Sequence, residues 1–241
     1  MSAERKVVVI TGASQGIGAG IVNGYRAAGW RVVASSRTIG WDTFGGDPDI
    51  ATVDGDISDA STADCIVQAA VRAFGRIDSL INNAGIFIAK PFVDYTAADF
   101  DQKLAVNVAG FFHITQRVVA QLLRQGSAGH VVSITTALVD QPIVGIPSVL
   151  TSLTKGSIAA ATRSLAIEYA DRGIRVNAVA PGIIKTPMHP EETHAVLDGL
   201  HPMRRMGTIE QVVQAVLYLE QAEFVTGETL HIDGGQHAGH W

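Results

Sequence analysis

The sequence predicts an α/β fold: a doubly wound parallel sheet of seven strands with helices on both faces, in a single domain over 1–241. Short runs rich in β-branched residues alternate with longer amphipathic segments, which is the pattern of successive βαβ units. Hydrophobic residues make up 47% of the 241 residues and charged residues 17%, which is enough apolar material for a large core. Only 6% of residues are aromatic, so the core is mainly aliphatic, as in a parallel sheet buried under helices.

The first half of the chain alternates predicted strands with amphipathic helices. The strands are predicted at Val7–Ile10, Arg31–Ala34, Ile50–Val53 and Ser79–Asn82, and the helices at Gly16–Ala28 and Ala60–Phe74. Ser58 or Asp59 is suited to cap the second of these helices. Glycine, aspartate and proline over Gly40–Pro48 predict a loop between the second and third strands.

The second half continues the alternation and adds a polar excursion. Strands are predicted at His130–Ile134, Arg175–Val179 and Thr229–Ile232, and helices at Ala97–Arg124, Ser152–Tyr169 and Ile209–Gln221. The first of these helices is unusually long, and we expect it to bend. Pro187–Leu200 is polar with helical character, and we expect the segment 187–207 to form a lid over the substrate.

Composition and charge argue against several classes of protein. The net charge is −5 and no basic run exists, so a nucleic-acid partner is not expected. No apolar segment reaches the roughly 20 residues of a membrane helix, and the start Met1–Lys6 is polar, so we expect a cytoplasmic protein without a membrane segment. Cys65 is the single cysteine, which excludes an internal disulfide, and we expect it to be buried rather than reactive.

Histidines cluster late in the chain without the spacing of a metal site. They are His189, His194 and His201, followed by His231, His237 and His240. Neither group contains a compact pair such as i, i+4 within the predicted helices, so we predict no bound metal.

A glycine-rich turn joins the first strand to the first helix. It reads Thr11-Gly12-Ala13-Ser14-Gln15-Gly16-Ile17-Gly18, and its place between a strand and a helix separates it from a chance glycine cluster. We expect Gly12 to allow the tight turn, Gly16 to let backbone approach a pyrophosphate, and Gly18 to let the helix pack close to the sheet. Free N–H groups at the start of the helix favour an anion. The sequence therefore predicts a Rossmann-type dinucleotide site here.

The end of the second strand indicates which dinucleotide binds. A carboxylate at this place bonds the ribose of NAD, whereas a basic residue accepts the 2′-phosphate of NADP. This chain has Ser36 and Arg37 there and no acidic residue. Because a guanidinium beside hydroxyls suits a phosphate, we predict NADP as the cofactor, with NAD as the alternative.

Further motifs follow in order along the chain. They are Asp56-Ile57, Asn82-Asn83-Ala84-Gly85, Val106-Asn107-Val108, Lys155, and Pro181-Gly182 with Ile184 and Thr186. Together with the glycine turn, they resemble the motifs of the short-chain dehydrogenases/reductases over essentially the whole chain. The resemblance implies an NAD(P)-dependent oxidoreductase that transfers hydride between nicotinamide and a carbonyl or alcohol substrate. It also implies a homodimer or homotetramer, with subunit contacts through the two long helices of the second half.

The resemblance also implies a role for individual residues. The cofactor is expected on Thr11, Gly12, Ser14, Gln15, Gly16, Ile17, Gly18, Ser36, Arg37, Asp56, Ile57, Asn83, Ala84, Gly85, Lys155, Pro181, Gly182, Ile184 and Thr186. The catalytic residues are expected to be Lys155, Asn107, Thr136 and Thr151.

The catalytic positions depart from the family pattern. The family has a tyrosine four residues before its lysine, where the phenol exchanges a proton as hydride moves, and a serine at the end of strand five. Here Thr151 stands four residues before Lys155, and Thr136 falls at the serine position. The 15 residues from Thr136 to Thr151 slightly exceed the family spacing, so this loop is remodelled. A threonine hydroxyl titrates far above the roughly 10 of a phenol and is a poor general acid.

Three functions are open on these residues. The first is an oxidoreductase with another proton donor, for which Asp140, His189 and Lys155 are candidates. The second is an NADP(H)-binding sensor or partner subunit without turnover. The third is non-redox chemistry on the same scaffold, which we disfavour because the cofactor motifs are intact.

Apolar residues indicate the character of the substrate. They lie between Leu138 and Leu150, and Met188 and Leu197 follow in the expected lid. These residues predict either an apolar pocket for a carbonyl or alcohol substrate or a part of the core.

Overall fold

A computed structural model describes residues 5–239 and contains a seven-stranded sheet. The strands are β1 Val7–Thr11, β2 Arg31–Ser36, β3 Ile50–Asp54, β4 Ser79–Asn82, β5 Gly129–Ile134, β6 Ile174–Pro181 and β7 Thr229–Ile232. Their order across the sheet is β3-β2-β1-β4-β5-β6-β7, and every neighbouring pair is parallel. The predicted fold class is confirmed.

Helices cover both faces of the sheet. Those in the described residues are α1 Gly16–Ala27, α2 Ala60–Phe74, α3 Ala97–Lys103, α4 Gly110–Gln125, α5 Val149–Tyr169, α6 His194–Asp198 and α7 Ile209–Gln221. Residues of α2, α4 and α5 pack in one aliphatic core, and those of α1 and α7 in the other. Val7 and Val9 of β1 face the first core, while Val8 and Ile10 face the second. Burial on both faces explains why β1 is hydrophobic without alternation.

The winding of the sheet reverses at β1, which pairs with β2 on one side and β4 on the other. The chain segments that leave β1 and β4 therefore diverge at the carboxyl ends of these strands. In open α/β sheets this divergence opens a crevice where ligands bind. The glycine-rich turn after β1 and the Asn82–Gly85 motif after β4 lie at this point.

The long helix predicted over Ala97–Arg124 consists of three consecutive segments in the structure. After α3, the chain forms a π-helical segment at Leu104–Ala109, and α4 follows directly. Short π-helical segments inside α-helices are rare and occur frequently at functional sites. Asn107 lies in this segment.

Helix α5 begins at Val149, earlier than the predicted start at Ser152. The backbone N–H groups of Thr151 and Ser152 both bond the Ser148 carbonyl oxygen, at 2.8 and 2.9 Å, and this extends the helix toward its N-terminus. Thr151 is therefore a residue of the first helical turn rather than of the preceding loop.

Two further predictions concern helix α2: the residue that caps it and the burial of Cys65. Asp59 rather than Ser58 caps it, because the Asp59 carboxylate accepts the Ser61 N–H at 2.9 Å. The expected burial of Cys65 is wrong, since that residue is exposed. The buried stripe of α2 runs through Thr62, Ala63, Ile66, Val67 and Ala70, and Cys65 lies off that stripe.

The segment 187–207 contains a short 3₁₀ turn at Glu191–Thr193 and helix α6. His201 near its end is buried; its Nε2 accepts the Ile183 N–H at 3.0 Å, and its Nδ1 donates to the Leu197 carbonyl oxygen at 3.2 Å. Among residues 5–239, no helix combines the length and apolar character needed to cross a membrane.

Candidate active site

A cleft of about 580 Å³ opens at the carboxyl ends of the central strands. Small-molecule and cofactor sites typically have volumes of roughly 300–1,000 Å³. The walls come from the turn after β1, the segments after β2, β3, β4, β5 and β6, the first turns of α5, and segment 187–207. Every predicted site residue lines this cleft except Asn107.

The glycine-rich turn has the conformation that its sequence predicts. Gly12 and Gly16 have φ angles of +65° and +56°, which residues with a side chain rarely adopt. A Cβ atom on Gly18 would lie 2.1 Å from the Gly12 carbonyl oxygen, so only glycine fits there. Helix α1 therefore starts in direct contact with the turn.

The Asn83 side chain holds this turn in place. Its Nδ2 donates to the carbonyl oxygens of Thr11 and Gly12, at 3.1 and 3.0 Å. In return, the Thr11 hydroxyl oxygen accepts the backbone N–H groups of Asn83 and Ala84, both at 3.1 Å. These four hydrogen bonds join the loops after β1 and β4, so the motif after β4 supports the turn after β1.

The phosphate end of the cleft presents donors without partners. The Gln15 side chain makes no capping hydrogen bond at the start of α1, so the first N–H groups of the helix are available to an anion. Arg37 lines the cleft and is exposed, and it makes no hydrogen bond or ion pair with other residues in the range 5–239. The Ser14 and Ser36 hydroxyls lie 3.0 Å apart in the same cleft wall.

Asp56 and Ile57 also line the cleft, in the segment after β3. Hydrogen bonds from the Ser58 hydroxyl and backbone N–H, at 2.7 and 2.9 Å, hold the pKa of Asp56 below its usual value. The Ile57 side chain packs on Gly110, where a Cβ would lie 2.9 Å from Ile57. A fixed carboxylate and a fixed apolar surface therefore stand side by side.

Lys155 lies at the other end of the cleft. Its Nζ donates to the Ile134 carbonyl oxygen at 2.6 Å, and a Cβ on Gly85 would lie 3.0 Å from this Nζ. Burial, and secondarily the charge of Lys103, lower the pKa of Lys155 to about 8. A side chain at position 85 would therefore crowd the ammonium.

Two threonine hydroxyls line the same end. Thr136 follows β5, and its Oγ1 accepts the Leu138 N–H at 3.3 Å. Thr151 is in the first turn of α5, and its Oγ1 accepts a hydrogen bond from the Lys103 ammonium at 2.5 Å. Thr151 and Lys155 are one helical turn apart, so both lie on the same face of α5. The structure thus brings Thr136, Thr151 and Lys155 to the wall of one cleft.

Sequence reasoning missed Lys103. It is the last residue of α3, and 0% of its surface is exposed. Its Nζ lies 5.4 Å from the centre of the Phe87 ring, and burial lowers the pKa of Lys103 to about 8. The only signal in the sequence was a lysine one helical turn before Asn107, and lysines in helices are mostly exposed.

Asn107 lies behind the cleft rather than in its wall. Its Oδ1 accepts the Ile86 N–H at 2.9 Å, and its Nδ2 donates to the Ile86 carbonyl oxygen at 3.2 Å and the Thr154 hydroxyl at 3.1 Å. This side chain therefore holds the backbone that follows the Asn82–Gly85 motif. Asn107 is thus the one predicted catalytic residue that does not itself line the cleft, and its catalytic role stays a prediction.

Known proteins with the same motifs fall in one family. A family model described as Enoyl-(Acyl carrier protein) reductase matches residues 12–237. An uncharacterized oxidoreductase of Thermotoga maritima is 36% identical, over 99% of this chain and 100% of that protein. Glucose 1-dehydrogenase of Gluconobacter oxydans is 37% identical, over 95% of this chain and 91% of that protein.

The fold agrees with these sequence matches. The solved structure of ElxO with NADP bound has a TM-score of 0.90 and 29% identity, covering 98% of this chain and 100% of that chain. This chain belongs to the short-chain dehydrogenase/reductase family. Its relatives are named dehydrogenases and reductases, so it is an oxidoreductase-type member of that family.

Two other proton-donor candidates occupy different places in this short-chain dehydrogenase/reductase. The Asp140 side chain is 51% exposed, its Oδ2 lies 2.9 Å from His231 Nε2, and it does not line the cleft. His189 does line the cleft. Burial, and secondarily the charge of His194, lower the pKa of His189 from its ordinary value, so its imidazole is neutral at pH 7.

Part of the cleft wall is apolar. Of the predicted apolar residues, those that line it are Leu138, Ile143, Ile146, Met188 and Leu197. Leu150 belongs to the buried core instead, and Val144 is fully exposed. Phe87 adds an aromatic surface that the sequence did not suggest.

The late histidines have other partners. His237 Nδ1 lies 2.7 Å from Asp233 Oδ2, and the His231 and His237 rings stack with centres 3.7 Å apart. Residues 5–239 contain no group of three or more side chains suited to hold a metal ion. His240 lies outside the described residues.

Proposed function

We propose that this chain is an NADP(H)-dependent oxidoreductase that interconverts a carbonyl and an alcohol on a small, largely apolar substrate. The observation that carries this proposal is the continuity of the cleft. A phosphate turn and an unpaired arginine line one end, and a buried lysine with two hydroxyls lines the other.

The residues of the phosphate end fit a dinucleotide. The turn leaves no room for a Cβ on Gly18, so backbone and ligand can approach closely. The free N–H groups of α1 suit the pyrophosphate, and Arg37 with Ser36 suits a 2′-phosphate, which favours NADP over NAD. When bound, the cofactor supplies or accepts the hydride.

The residues of the substrate end hold and move the proton. Lys155 would bring a positive charge to the bound substrate and to the ribose hydroxyls of the cofactor. We expect the Thr136 hydroxyl, which also lines the cleft, to donate a hydrogen bond to the substrate oxygen and polarise it. Thr151 stands at the position of the phenol that the family uses, and its hydroxyl by itself is too weak an acid to supply the proton.

Thr151 also favours a second candidate function. No tyrosine is among the residues that line the cleft within 5–239, and loss of a positioned general acid typically costs roughly 10²- to 10⁴-fold in rate. A chain that binds NADP(H) and a ligand without turnover, as a sensor or partner subunit, is consistent with this site.

The proposal includes a lid and an oligomer. Pro187, Met188, His189 and Leu197 of segment 187–207 line the cleft, so movement of this segment controls access to it. The exposed apolar side chains of α4 and α5 support self-association through these helices as a homodimer or homotetramer. They include Phe112 at 53%, Leu153 at 56% and Ile167 at 81% exposure.

Cofactor titration tests the first half of the proposal. NADPH fluorescence should rise on binding, and NADH should bind more weakly. If neither dinucleotide binds, both the oxidoreductase and the sensor functions are refuted.

A turnover screen over ketones and secondary alcohols separates the two candidates. The oxidoreductase should consume NADPH with at least one carbonyl, and Lys155→Ala should abolish this activity. If NADPH and a carbonyl compound bind together without any turnover on a broad panel, the sensor function is correct instead.

A further inference from the structure

Lys103 is an unusual group to find completely buried. Lysines are almost never fully buried unless paired. Among residues 5–239, no carboxylate lies within ion-pair distance of its ammonium, and its one hydrogen-bond acceptor is Thr151 Oγ1. The other groups facing it are the Phe87 ring and the ammonium of Lys155, which repels it. The fold therefore maintains an isolated positive charge directly behind a hydroxyl of the cleft.

The direction of the hydrogen bond leaves the Thr151 proton free. Lys103 donates to Thr151 Oγ1, and this hydroxyl donates to no residue in the range 5–239. Its neighbour Thr154, in contrast, donates its hydroxyl proton to the Leu150 carbonyl oxygen at 2.8 Å. Thr151 lines the cleft and Lys103 does not, so the order from cleft to interior is hydroxyl, then ammonium.

We propose that Lys103 supplies the reaction's proton through the Thr151 hydroxyl, so that this pair does the work of a phenol. The inference rests on the proposed oxidoreductase function. In carbonyl reduction, the Thr151 O–H bond breaks as the new O–H bond forms on the substrate oxygen. Thr151 Oγ1 takes a proton from Lys103 Nζ, which becomes a neutral amine and regains a proton from water in the cleft through the same hydroxyl after the product leaves. The two electrons arrive with the hydride of the reduced cofactor, and alcohol oxidation reverses every transfer.

The acidity of the buried ammonium agrees with this role. Burial lowers the pKa of Lys103 to about 8, and a group whose pKa is near the working pH both gives and regains a proton readily. Thr151 alone lacks this property, because its hydroxyl titrates far above pH 10. Lys103 acts through Thr151 and is therefore a positioning residue, while Thr151 is the group that touches the substrate.

Direct titration of the ammonium tests the inference without turnover. The chain has five lysines, at positions 6, 90, 103, 155 and 185, so their side-chain NMR signals can be resolved in the cofactor-free protein. The signal lost in Lys103→Met should titrate near pH 8, and Thr151→Val should lower that value further by removing its acceptor. An ordinary lysine titration for this signal would overturn the inference.

The second test measures kcat and its pH dependence with the carbonyl substrate that the turnover screen identifies. Lys103→Met and Thr151→Val should each lower kcat by roughly 10²- to 10⁴-fold with unchanged NADPH affinity, and the double variant should lose little more. The wild-type kcat for reduction should fall as pH rises through about 8, and Lys103→Met should lose this limb. The surface variant Lys90→Met is the matched control and should behave as wild type.

Failure of the proton relay can be distinguished from failure of the proposed oxidoreductase function. If Lys103→Met keeps the wild-type kcat and pH profile, the relay is wrong and the oxidoreductase function stands. If the wild-type protein turns over no carbonyl or alcohol, both are wrong. Should Lys103→Met fail to fold, as judged by circular dichroism, Thr151→Val decides the matter, because it removes only the hydroxyl.

Discussion

Replacing Lys103 by methionine should make the protein more stable near pH 7. Methionine keeps the length of the side chain but carries no charge, so it removes the desolvation of a fully buried ammonium. The fold lowers the pKa of Lys103 from 10.5 to about 8, and such a shift corresponds to about 3 kcal/mol of unfavourable free energy at pH 7. Loss of the hydrogen bond to Thr151 destabilises the variant by about 1 kcal/mol. We therefore expect its free energy of unfolding to exceed that of the wild type by about 2 kcal/mol.

The pH dependence of this stability difference identifies the buried charge of Lys103 as its cause. A base whose pKa is lowered by folding binds fewer protons in the native state than in the unfolded chain between pH 8 and 10.5. The stability contributed by this group therefore rises with pH across that window, and the advantage of Lys103→Met should shrink and vanish above it. The lowered pKa of Lys155 makes the stability rise with pH in the same direction. In Lys103→Met the pKa of Lys155 should increase, because the repulsion from the Lys103 charge is gone.

Urea unfolding at fixed protein concentration, from pH 6.5 to 10.5, measures this difference. Lys90→Met removes an exposed lysine that pairs with Asp99 and should show no such pH-dependent gain. A Lys103→Met variant less stable than wild type at pH 7, or a difference constant with pH, would refute the burial of a charged ammonium. A stabilised but inactive variant would identify Lys103 as a residue that the fold retains for function at a cost in stability.

Three further predictions concern other parts of the molecule. Arg37→Asp should weaken NADPH binding by roughly 10- to 100-fold in a fluorescence titration and should spare NADH, since it removes a charge-assisted phosphate contact. Gly18→Ala should lower the unfolding free energy by about 3 kcal/mol or more and abolish dinucleotide binding, because its Cβ would meet backbone at 2.1 Å. Glu220→Gln should cost about 2 kcal/mol in urea unfolding, because this buried carboxylate accepts hydrogen bonds from the Tyr25 and Ser79 hydroxyls.

Each of these has a result that contradicts it. Equal losses for NADPH and NADH in Arg37→Asp would mean that the residue supports the fold rather than the phosphate. Gly156→Ala is the control for Gly18→Ala, since a Cβ at 156 meets only Val139 at 3.7 Å and should be tolerated. A Glu220→Gln variant as stable as wild type would show that the carboxylate is dispensable in that network.

The accuracy of the sequence predictions varied with how local each feature is. The phosphate turn and the Asn82–Gly85 motif were predicted correctly, because their glycines and strand–helix context are adjacent in the chain. The burial of Cys65 depended on which face of α2 meets the sheet, and the cysteine was placed wrongly. Asn107 was recognised by its motif, but only the structure shows that it lies in a π-helical segment and that its side chain contacts Ile86.

The sequence by itself determined the order of strands and helices, the dinucleotide turn, the arginine that indicates NADP, and the threonine four residues before Lys155. All of these are properties of neighbouring residues, which steric preference and hydrophobic period control directly. Only the tertiary structure decided what stands behind that threonine. Lys103 and Thr151 are 48 residues apart, and the packing of α3 against α5 brings the ammonium to the hydroxyl and buries it. Because a lysine's acidity depends on this burial and not on its neighbours in the chain, no local pattern could have predicted the pair.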